Sequence, residues 1–304
     1  MSLLARAREG MNWMPGRAAL ARVLCLGACA LALAAMAPKP PAKTVDTTPA
    51  ALQSWRNSIV QIGTGVLAKG HRGLFGRLRL VEHNFAGFPA GTRLPAVLYL
   101  HDCPGLKIEA MRDIDELAAL GFVVFAPDSF DSRERKSDCV RFDFVAGLNP
   151  DAYVQRQAEI MVGLAELRKI PWVDQSAIVL YGLGEGALAA ANYPGHEFRG
   201  VVLTGWTCGA AQYAEDVAGL KTPADIPVLS LVSRYDPWFD RTGHAGTCGD
   251  YMAGHKYGQS IVIENRGLHH ISWLDDRAST AIRRFLQALM PPRLSSWPRQ
   301  PADR

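Results

Sequence analysis

A glycine-rich turn has the spacing of a site for covalent catalysis, but it lacks the reactive side chain. The short apolar run Ala177–Tyr181 predicts a buried strand, and the turn Gly182–Gly186 (GLGEG) follows it. In the pattern Gly-x-Ser-x-Gly, the central residue of such a strand-to-helix turn is the nucleophile. Gly184 stands at the centre here, and glycine has neither the hydroxyl nor the thiol that an acyl-enzyme requires.

An acid and a base follow later strands in the order of a hydrolase triad. Asp236 comes after the predicted strand Pro227–Val232, and His270 comes after the predicted strand Gln259–Glu264, with His269 as the adjacent alternative. The order of turn, acid and histidine is that of the α/β-hydrolases. A histidine oriented by a carboxylate acts as a general base. We therefore predict that Asp236 and His270 occupy the acid and base positions.

Each of these features taken alone has a simpler explanation. Asp236 is typical of a turn or capping residue, His270 of a surface loop, and the glycines of an ordinary connection. A dinucleotide-binding loop is disfavoured because it belongs to the first strand–helix–strand unit, whereas this turn follows three predicted strands. The joint spacing of the three features favours the triad positions.

The elements that would position these residues alternate between strands and helices. Buried strands are predicted at 94–100, 122–126, 177–181, 200–204, 227–232 and 259–264, and helices at 109–120, 151–169, 184–192 and 276–289. An alternating apolar pattern predicts one more, half-buried strand over 76–83. This order predicts an α/β protein with a doubly wound, mostly parallel sheet flanked by helices. The active site of such a sheet lies at the carboxyl ends of its strands.

Two segments in this frame carry a resemblance to a known family. They are LPAVLYLHDCPGL at 94–106 and LAALGFVVFAPDSFDSRERKSDC at 117–139. Together with the turn and the Asp236 and His270 loops, they resemble the dienelactone hydrolase family over about residues 73–290. The resemblance implies the α/β-hydrolase fold and a hydrolase of ester or lactone bonds.

The resemblance also implies roles for five further residues. The backbone N–H groups of Cys103 and Glu185 match the oxyanion hole, which stabilises a developing negative oxygen. Asp102 matches the acidic position that contacts the nucleophile, and Arg133 or Arg135 falls in the loop that supplies an arginine for a substrate carboxylate. Gly184 matches the nucleophile position but departs from the family there.

The side chain of Glu185 has two interpretations. Its negative charge suits the start of a helix, which would make its role electrostatic. Alternatively, its carboxylate is a general base that acts on water in the space left at Gly184.

Three functions fit these residues. The first is an impaired or non-catalytic hydrolase relative that binds a small ester, lactone or carboxylate. The second is an active ester or lactone hydrolase in which His270, oriented by Asp236, activates water directly. The third is an interaction module of the cell envelope that reuses the fold. We predict no cofactor and no metal, because no cysteine or histidine spacing is that of a metal site.

The N-terminal segment has the pattern of an export signal. Four arginines precede the apolar run 23–37, which ends in small residues and is short for a membrane span. Pro38 directly after the predicted cleavage site leaves open an uncleaved anchor over residues 18–37, and Cys29 leaves open a lipoprotein signal. We therefore predict a periplasmic or extracellular protein, which contacts a membrane only through this segment.

The charge and composition support a globular domain behind that segment. The chain has 304 residues, of which 48% are apolar and 20% charged. Its formal net charge is +4, and residues 1–37 contribute four Arg and one Glu, so the remainder carries +1. This value predicts no nucleic-acid partner. We divide the chain into the signal or anchor 1–37, a linker and lead-in 38–72, the hydrolase-like domain 73–290 and a tail 291–304.

Four cysteines follow the signal segment. An even number in an exported protein is typical of disulfides, and four cysteines allow three pairings. We prefer Cys103–Cys139 with Cys208–Cys248, because the first two lie in neighbouring loops at strand ends. Four free, buried thiols are the alternative.

Overall fold

A computed structural model describes the central part of the chain. The described residues are 48–64, 66, 73–131, 137–140, 145–146, 149, 151–209, 217–240, 246–264 and 272–290. The predicted signal segment 1–37 and the predicted tail 291–304 lie outside them, so both remain predictions.

Ten strands are present in the described residues. They are β1 (Ile59–Ile62), β2 (Leu74–Arg77), β3 (Leu94–Leu100), β4 (Val123–Ala126), β5 (Cys139–Val140), β6 (Val145–Ala146), β7 (Val173–Leu183), β8 (Gly200–Thr204), β9 (Val228–Ser233) and β10 (Gly258–Ile263). Eight of them form one sheet in the order β10-β9-β8-β7-β3-β4-β1-β2, and β5 pairs with β6. β1 runs antiparallel to β2 and β4, and the other paired strands of the large sheet run parallel.

Seven α-helices accompany the sheet within the same described ranges. They are α1 (Thr48–Arg56), α2 (Leu78–Val81), α3 (Ile108–Ala119), α4 (Ala152–Leu167), α5 (Glu185–Ala191), α6 (Pro237–Asp240) and α7 (Asp276–Leu289). Short 3-10 helices cover Glu82–Gly87, Cys248–Tyr251 and Ser272–Leu274. None of the helices in these described ranges is long and apolar enough to cross a membrane.

The six predicted strands and the four predicted helices are confirmed, but β10, at the edge of the sheet, is only partly buried and not fully buried as predicted. Every residue of β3 is buried, because helices cover both faces of a parallel sheet. Buried apolar residues form one cluster on each side of the sheet, with Leu98 in one and Val97 in the other. The strand order and the alternation confirm the predicted doubly wound, mostly parallel α/β-hydrolase fold.

Two details of the prediction are wrong. The chain is extended only to Arg77 and then turns into α2, because Leu78 and Val81, three residues apart, both become buried on one side of a helical turn. The predicted linker already contains α1 and β1, and Trp55 of α1 stacks on Phe125 with 5.3 Å between ring centroids. The proline-rich composition before residue 48 led to a predicted linker that extended across α1.

The preferred disulfide pairing is confirmed. Cys103 is bonded to Cys139, with 5.5 Å between the Cα atoms, and Cys208 is bonded to Cys248, with 4.8 Å between them. The first bond joins the loop after β3 to β5, and the second joins the loop after β8 to the 3-10 helix before β10. Both bonds therefore fix loops at the carboxyl end of the sheet, where the candidate site lies.

Candidate active site

The turn between β7 and α5 keeps the backbone of a nucleophile turn. Gly184 has φ of 54° and ψ of −112°, a conformation that L side chains rarely adopt. Its N–H donates to the Thr204 carbonyl of β8 at 2.8 Å, and its own carbonyl accepts the Leu188 N–H at 3.0 Å. The sheet and the helix thus hold the strained turn from both sides.

The two flanking glycines are required by close packing. A Cβ atom on Gly182 would lie 2.5 Å from the Cα atom of Ala187, and a Cβ atom on Gly186 would overlap the Leu100 carbonyl oxygen. Any side chain at either position would push α5 away from the sheet. The spacing Gly-x-Gly-x-Gly therefore follows from the approach of α5 to β7 and β3.

At the centre of the turn, a carboxyl group occupies the place of the missing side chain. A Cβ atom built on Gly184 would overlap the Asp102 carboxyl group, with Oδ2 at 2.9 Å and Oδ1 closer. Asp102 follows β3, the strand next to β7 in the sheet. Asp102 therefore lies against residue 184, and its carboxyl group occupies the space in which a side chain at that position would begin.

The same carboxyl group takes one of the predicted oxyanion-hole donors. The backbone N–H of Glu185 donates to Oδ1 of Asp102 at 3.0 Å. Such a donor stabilises the oxygen of a tetrahedral intermediate when it is available to the substrate. Cys103, the other predicted donor residue, is buried, and its sulfur is bonded to Cys139.

Asp236 lies at the carboxyl end of β9, as predicted. Its side chain is fully buried, and Oδ1 accepts the Trp238 N–H at 3.1 Å. β8 separates β9 from β7 in the sheet, so Asp236 is two strands, or about 10 Å, across from Gly184. The location fits the acid position of a triad, and the N–H contact also fits the simpler role of capping α6.

Four predicted site residues lie outside the described residues. They are His269, His270, Arg133 and Arg135. The base and the carboxylate-binding arginine therefore remain predictions from the sequence.

The side chain of Glu185 points into the protein and joins a buried charged network. Its Oε2 atom pairs with the Arg156 guanidinium at 3.1 Å. Its Oε1 atom and Oδ2 of Asp138 are both buried and each lacks a hydrogen-bond donor among the described residues. Two such carboxyl groups can hydrogen-bond to each other if one of them carries a proton.

That proton belongs to Glu185. Burial raises the pKa of Glu185 from 4.5 to about 8, the Arg156 charge opposes this rise, and Asp138 adds to it. Glu185 is therefore mostly neutral at pH 7. The side chain pairs with Arg156 inside the protein, and both interpretations of its role from the sequence remain predictions.

Arg156 of α4 contacts several of the buried residues that support this site. Its guanidinium group, which is almost fully buried, contacts Glu159 at 3.4 Å and also the Ser129 hydroxyl. It lies beside the ring of His101, whose Nδ1 contacts the Asp102 carbonyl at 2.7 Å. Burial, with the Arg156 charge, lowers the pKa of His101 well below its usual value, so the ring is neutral. The residue before Asp102 is thus held by the same cation that holds Glu185.

The sequence contained a signal for this network that we did not use. Arg156 and Glu159 lie on the same helical stripe as Ile160 and Gly163, which face the core. Two charged residues on a buried stripe must pair with each other or with partners across the core.

No group of three or more metal-binding side chains occurs among the described residues.

Comparisons with known proteins agree with the resemblance seen in the sequence. The model of the dienelactone hydrolase family matches residues 83–224. No curated protein matches the chain. Solved structures that resemble it include a protein from Klebsiella pneumoniae subsp. pneumoniae MGH 78578 assigned as a dienelactone hydrolase, with 14% identity over 66% of this chain and 88% of that chain and a TM-score of 0.47.

Two further solved structures show a similar degree of likeness. A dienelactone hydrolase-like promiscuous phosphotriesterase from metagenomic libraries is 20% identical over 67% of this chain and 89% of that chain, with a TM-score of 0.45. An esterase from Pyrobaculum calidifontis is 16% identical over 66% of this chain and 77% of that chain, with a TM-score of 0.42.

Proposed function

Because this chain belongs to the dienelactone hydrolase-like α/β-hydrolase family, we propose that it is an exported member that has lost ester and lactone hydrolysis by acyl transfer. It keeps the strained turn, the acid position and the flanking loops, and it binds a small neutral ester or lactone without cleaving it through an acyl-enzyme. The proposal depends on one observation, which is the Asp102 carboxyl group in the place of the side chain that Gly184 lacks.

Two properties of this arrangement oppose acyl transfer. The turn offers no attacking atom, and the Glu185 N–H already donates to Asp102. An ester oxygen that entered the site would have to displace a charged acceptor from that donor. For the same reason, hydrolysis by water that His270 activates is less well supported, since its intermediate needs the same N–H.

The position of Asp102 also discriminates between ligands. A carboxylate ligand at this turn would face the like charge of Asp102 in a partly buried place, which is unfavourable. A neutral ester or lactone avoids this repulsion. Of the three ligand classes that the sequence suggested, we therefore propose the two neutral ones.

Labelling with a fluorophosphonate probe tests the loss of acyl transfer. We expect the wild-type protein to remain unlabelled and to leave phenyl acetate intact. Gly184→Ser alone would push the new Cβ atom onto the Asp102 carboxyl group, so the nucleophile should be restored together with Asp102→Ala. We expect the double variant Gly184→Ser/Asp102→Ala to become labelled and to hydrolyse phenyl acetate.

Gly184→Ala/Asp102→Ala is the matched control, since it makes the same space and the same backbone strain without a hydroxyl. It should stay unlabelled. Labelling of the wild type would contradict the proposal, because a nucleophile other than residue 184 would then be at work. A folded serine variant that stays unlabelled would contradict the retention of a working acid and base.

Export is the second part of the proposal. The N-terminal pattern of arginines and a short apolar run supports it, and so do the two disulfides, which are typical of oxidising compartments. We propose a periplasmic or extracellular location, with the test given at the scale of the whole molecule below.

A further inference from the structure

One indole N–H at the carboxyl edge of the sheet is a buried donor. Trp206 follows β8 and keeps only 8% of its surface exposed, and its Nε1 atom is buried without a hydrogen-bond partner among the described residues. An indole N–H can only donate, so it requires an acceptor. A buried donor without one is costly to a folded protein and calls for an explanation. This donor points to an acceptor that binds from outside the chain.

Trp206 lies between the two other parts of the candidate site. In the sheet, β8 is placed between β7, which ends at the Gly184 turn, and β9, which leads to Asp236. The Thr204 carbonyl accepts the Gly184 N–H at 2.8 Å, and the two residues from Thr204 to Trp206 span at most about 7 Å. Trp206 is therefore a close neighbour of the turn.

We propose that the Trp206 N–H binds the carbonyl oxygen of the neutral ester or lactone, in place of the oxyanion-hole donor that Asp102 has taken. The backbone N–H of Glu185 donates to Oδ1 of Asp102 at 3.0 Å, so it is not available to a ligand. Trp206 Nε1 is a nearby donor to which no described residue supplies an acceptor. This inference rests on the proposed function, because it names the residue that holds the ligand proposed there.

The surroundings of Trp206 favour a neutral ligand with an apolar part. The Trp206 ring packs edge-on against Phe239 of α6, with 6.0 Å between the ring centroids, and Trp238 packs against the same apolar cluster. Asp102 lies against the turn on one side, and Asp236 follows β9 on the other, so an anionic acceptor is disfavoured. A carbonyl oxygen accepts a hydrogen bond and carries no net charge.

The backbone that carries Trp206 is fixed before a ligand binds. Cys208, two residues later, has φ of 60° and is bonded to Cys248. The Cys248 sulfur lies 3.5 Å from the Trp206 carbonyl oxygen, and the Cys208 carbonyl accepts the Gly219 N–H at 2.7 Å. A donor held in this way loses little conformational freedom on binding. The N–H is covered in this conformation, so ligand entry requires a rotamer change beside it, which is common on binding.

A matched pair of ligands tests the inference on the full-length protein. Phenyl acetate and phenetole (ethyl phenyl ether) have nearly the same shape, but phenetole has a CH₂ group where phenyl acetate has its carbonyl. We expect phenyl acetate to bind about three- to tenfold more tightly, which is the usual contribution of one hydrogen bond to a neutral acceptor. Calorimetric titration of both ligands measures the ratio of the two Kd values.

Trp206→Phe removes the N–H and keeps an aromatic ring. We expect this variant to bind phenetole as the wild type does and phenyl acetate about three- to tenfold more weakly, so that it no longer discriminates between them. Trp172→Phe is the matched control, because Trp172 is a buried tryptophan at the opposite end of β7, and it should keep the preference of the wild type. If Trp206→Phe weakened both ligands equally, the proposal would be overturned, because the ring would then act through packing alone.

The wild type alone gives a second measurement. The indole proton of Trp206, identified in a ¹⁵N-edited NMR spectrum by its contacts with the Phe239 ring, should move downfield with phenyl acetate and not with phenetole. An unmoved signal at saturation would overturn the proposal even where Trp206→Phe fails to fold. A folded wild type that does not bind phenyl acetate would overturn it together with the ligand class of the proposed function. Fluorophosphonate labelling of the wild type, in contrast, would contradict only the loss of acyl transfer.

Discussion

The backbone N–H and the side chain of Glu185 lie in two different environments. Its backbone N–H faces the carboxyl edge of the sheet and holds Asp102, whereas its side chain faces the interior and holds Arg156 and Asp138. The interior contacts fix the backbone, and the backbone fixes the position of the carboxylate at the turn. A change in the protonation of the side chain therefore acts on the site through the first turn of α5.

This buried proton gives stability a defined pH dependence. The pKa of Glu185 is about 8 in the folded protein and near 4.5 when exposed, so the folded state binds more protons between these values. The free energy of unfolding should therefore decrease as the pH rises from about 4.5 through 8. We expect Glu185→Gln, which keeps a donor toward Asp138, to flatten that decrease in urea unfolding measured across this range.

Glu82→Gln serves as the control for this prediction, because Glu82 is exposed. Its pH profile should follow that of the wild type. An unchanged decrease of stability in Glu185→Gln would mean that another group holds the proton.

At the residue scale, the sequence predicted that the nucleophile side chain is missing at Gly184. It did not predict that the Asp102 carboxyl group lies in that space. Gly184 could be placed from the spacing of the turn and the order of the later loops. The position of the Asp102 carboxyl group could not be predicted, because it depends on an approach between residues 82 positions apart in the chain, and a sequence pattern carries no such distance. The neutral state of Glu185 was missed for the same reason, since it requires Asp138 and Arg156 from two other elements.

At the scale of elements, α4 is the helix that connects the site to the core. Its Arg156 side chain contacts Glu159 on the same helix, Glu185 at the start of α5, and the loops after β3 and β4 through His101 and Ser129. A cation that is shared by four elements fixes their relative positions. Removal of this cation should therefore destabilise the packing of all four elements.

We expect Arg156→Met to lower the free energy of unfolding by about 3–5 kcal/mol, because it leaves Glu159 and Glu185 buried without their cation. Denaturant unfolding would measure the loss. The double variant Arg156→Met/Glu185→Gln should recover part of it. Arg284→Met, at an exposed position of α7, should change stability by less than about 0.5 kcal/mol. Equal effects of Arg156→Met and Arg284→Met would contradict the role of the network.

Elements with a strong pattern were predictable, and short edge elements were not. β3 and the part of β7 from Ala177 to Leu183 are buried throughout and carry no charged residue, because both faces of a central strand are covered, so their signal is unambiguous. The segment after Arg77 fits either a strand or a helical turn over four residues, and packing of Leu78 and Val81 decides between them. β1 was missed because its four residues carry little pattern, although pairing with β4 places it in the sheet.

At the scale of the whole molecule, two disulfides fix the loops at the carboxyl edge. They span 36 and 40 positions of sequence, and a crosslink over such a loop stabilises the folded state by about 3–4 kcal/mol. Their formation requires an oxidising compartment. The stability of this protein is thus tied to the location that its N-terminal segment predicts.

This link can be measured in a bacterial host. We expect the full-length chain to be recovered from the periplasmic fraction, with Cys103, Cys139, Cys208 and Cys248 protected from alkylation. A chain that begins at Pro38 and stays in the cytosol should carry four reactive thiols and unfold at lower denaturant concentration. Recovery of the full-length chain in the cytosol with free thiols would contradict the proposed export.

The overlap between Asp102 and a side chain at 184 has a consequence for directed evolution of this protein. A single substitution of serine for Gly184 would meet an occupied site and would gain no activity while it strained the turn. A library of single substitutions should therefore contain no esterase, because the gain depends on two positions that must change together.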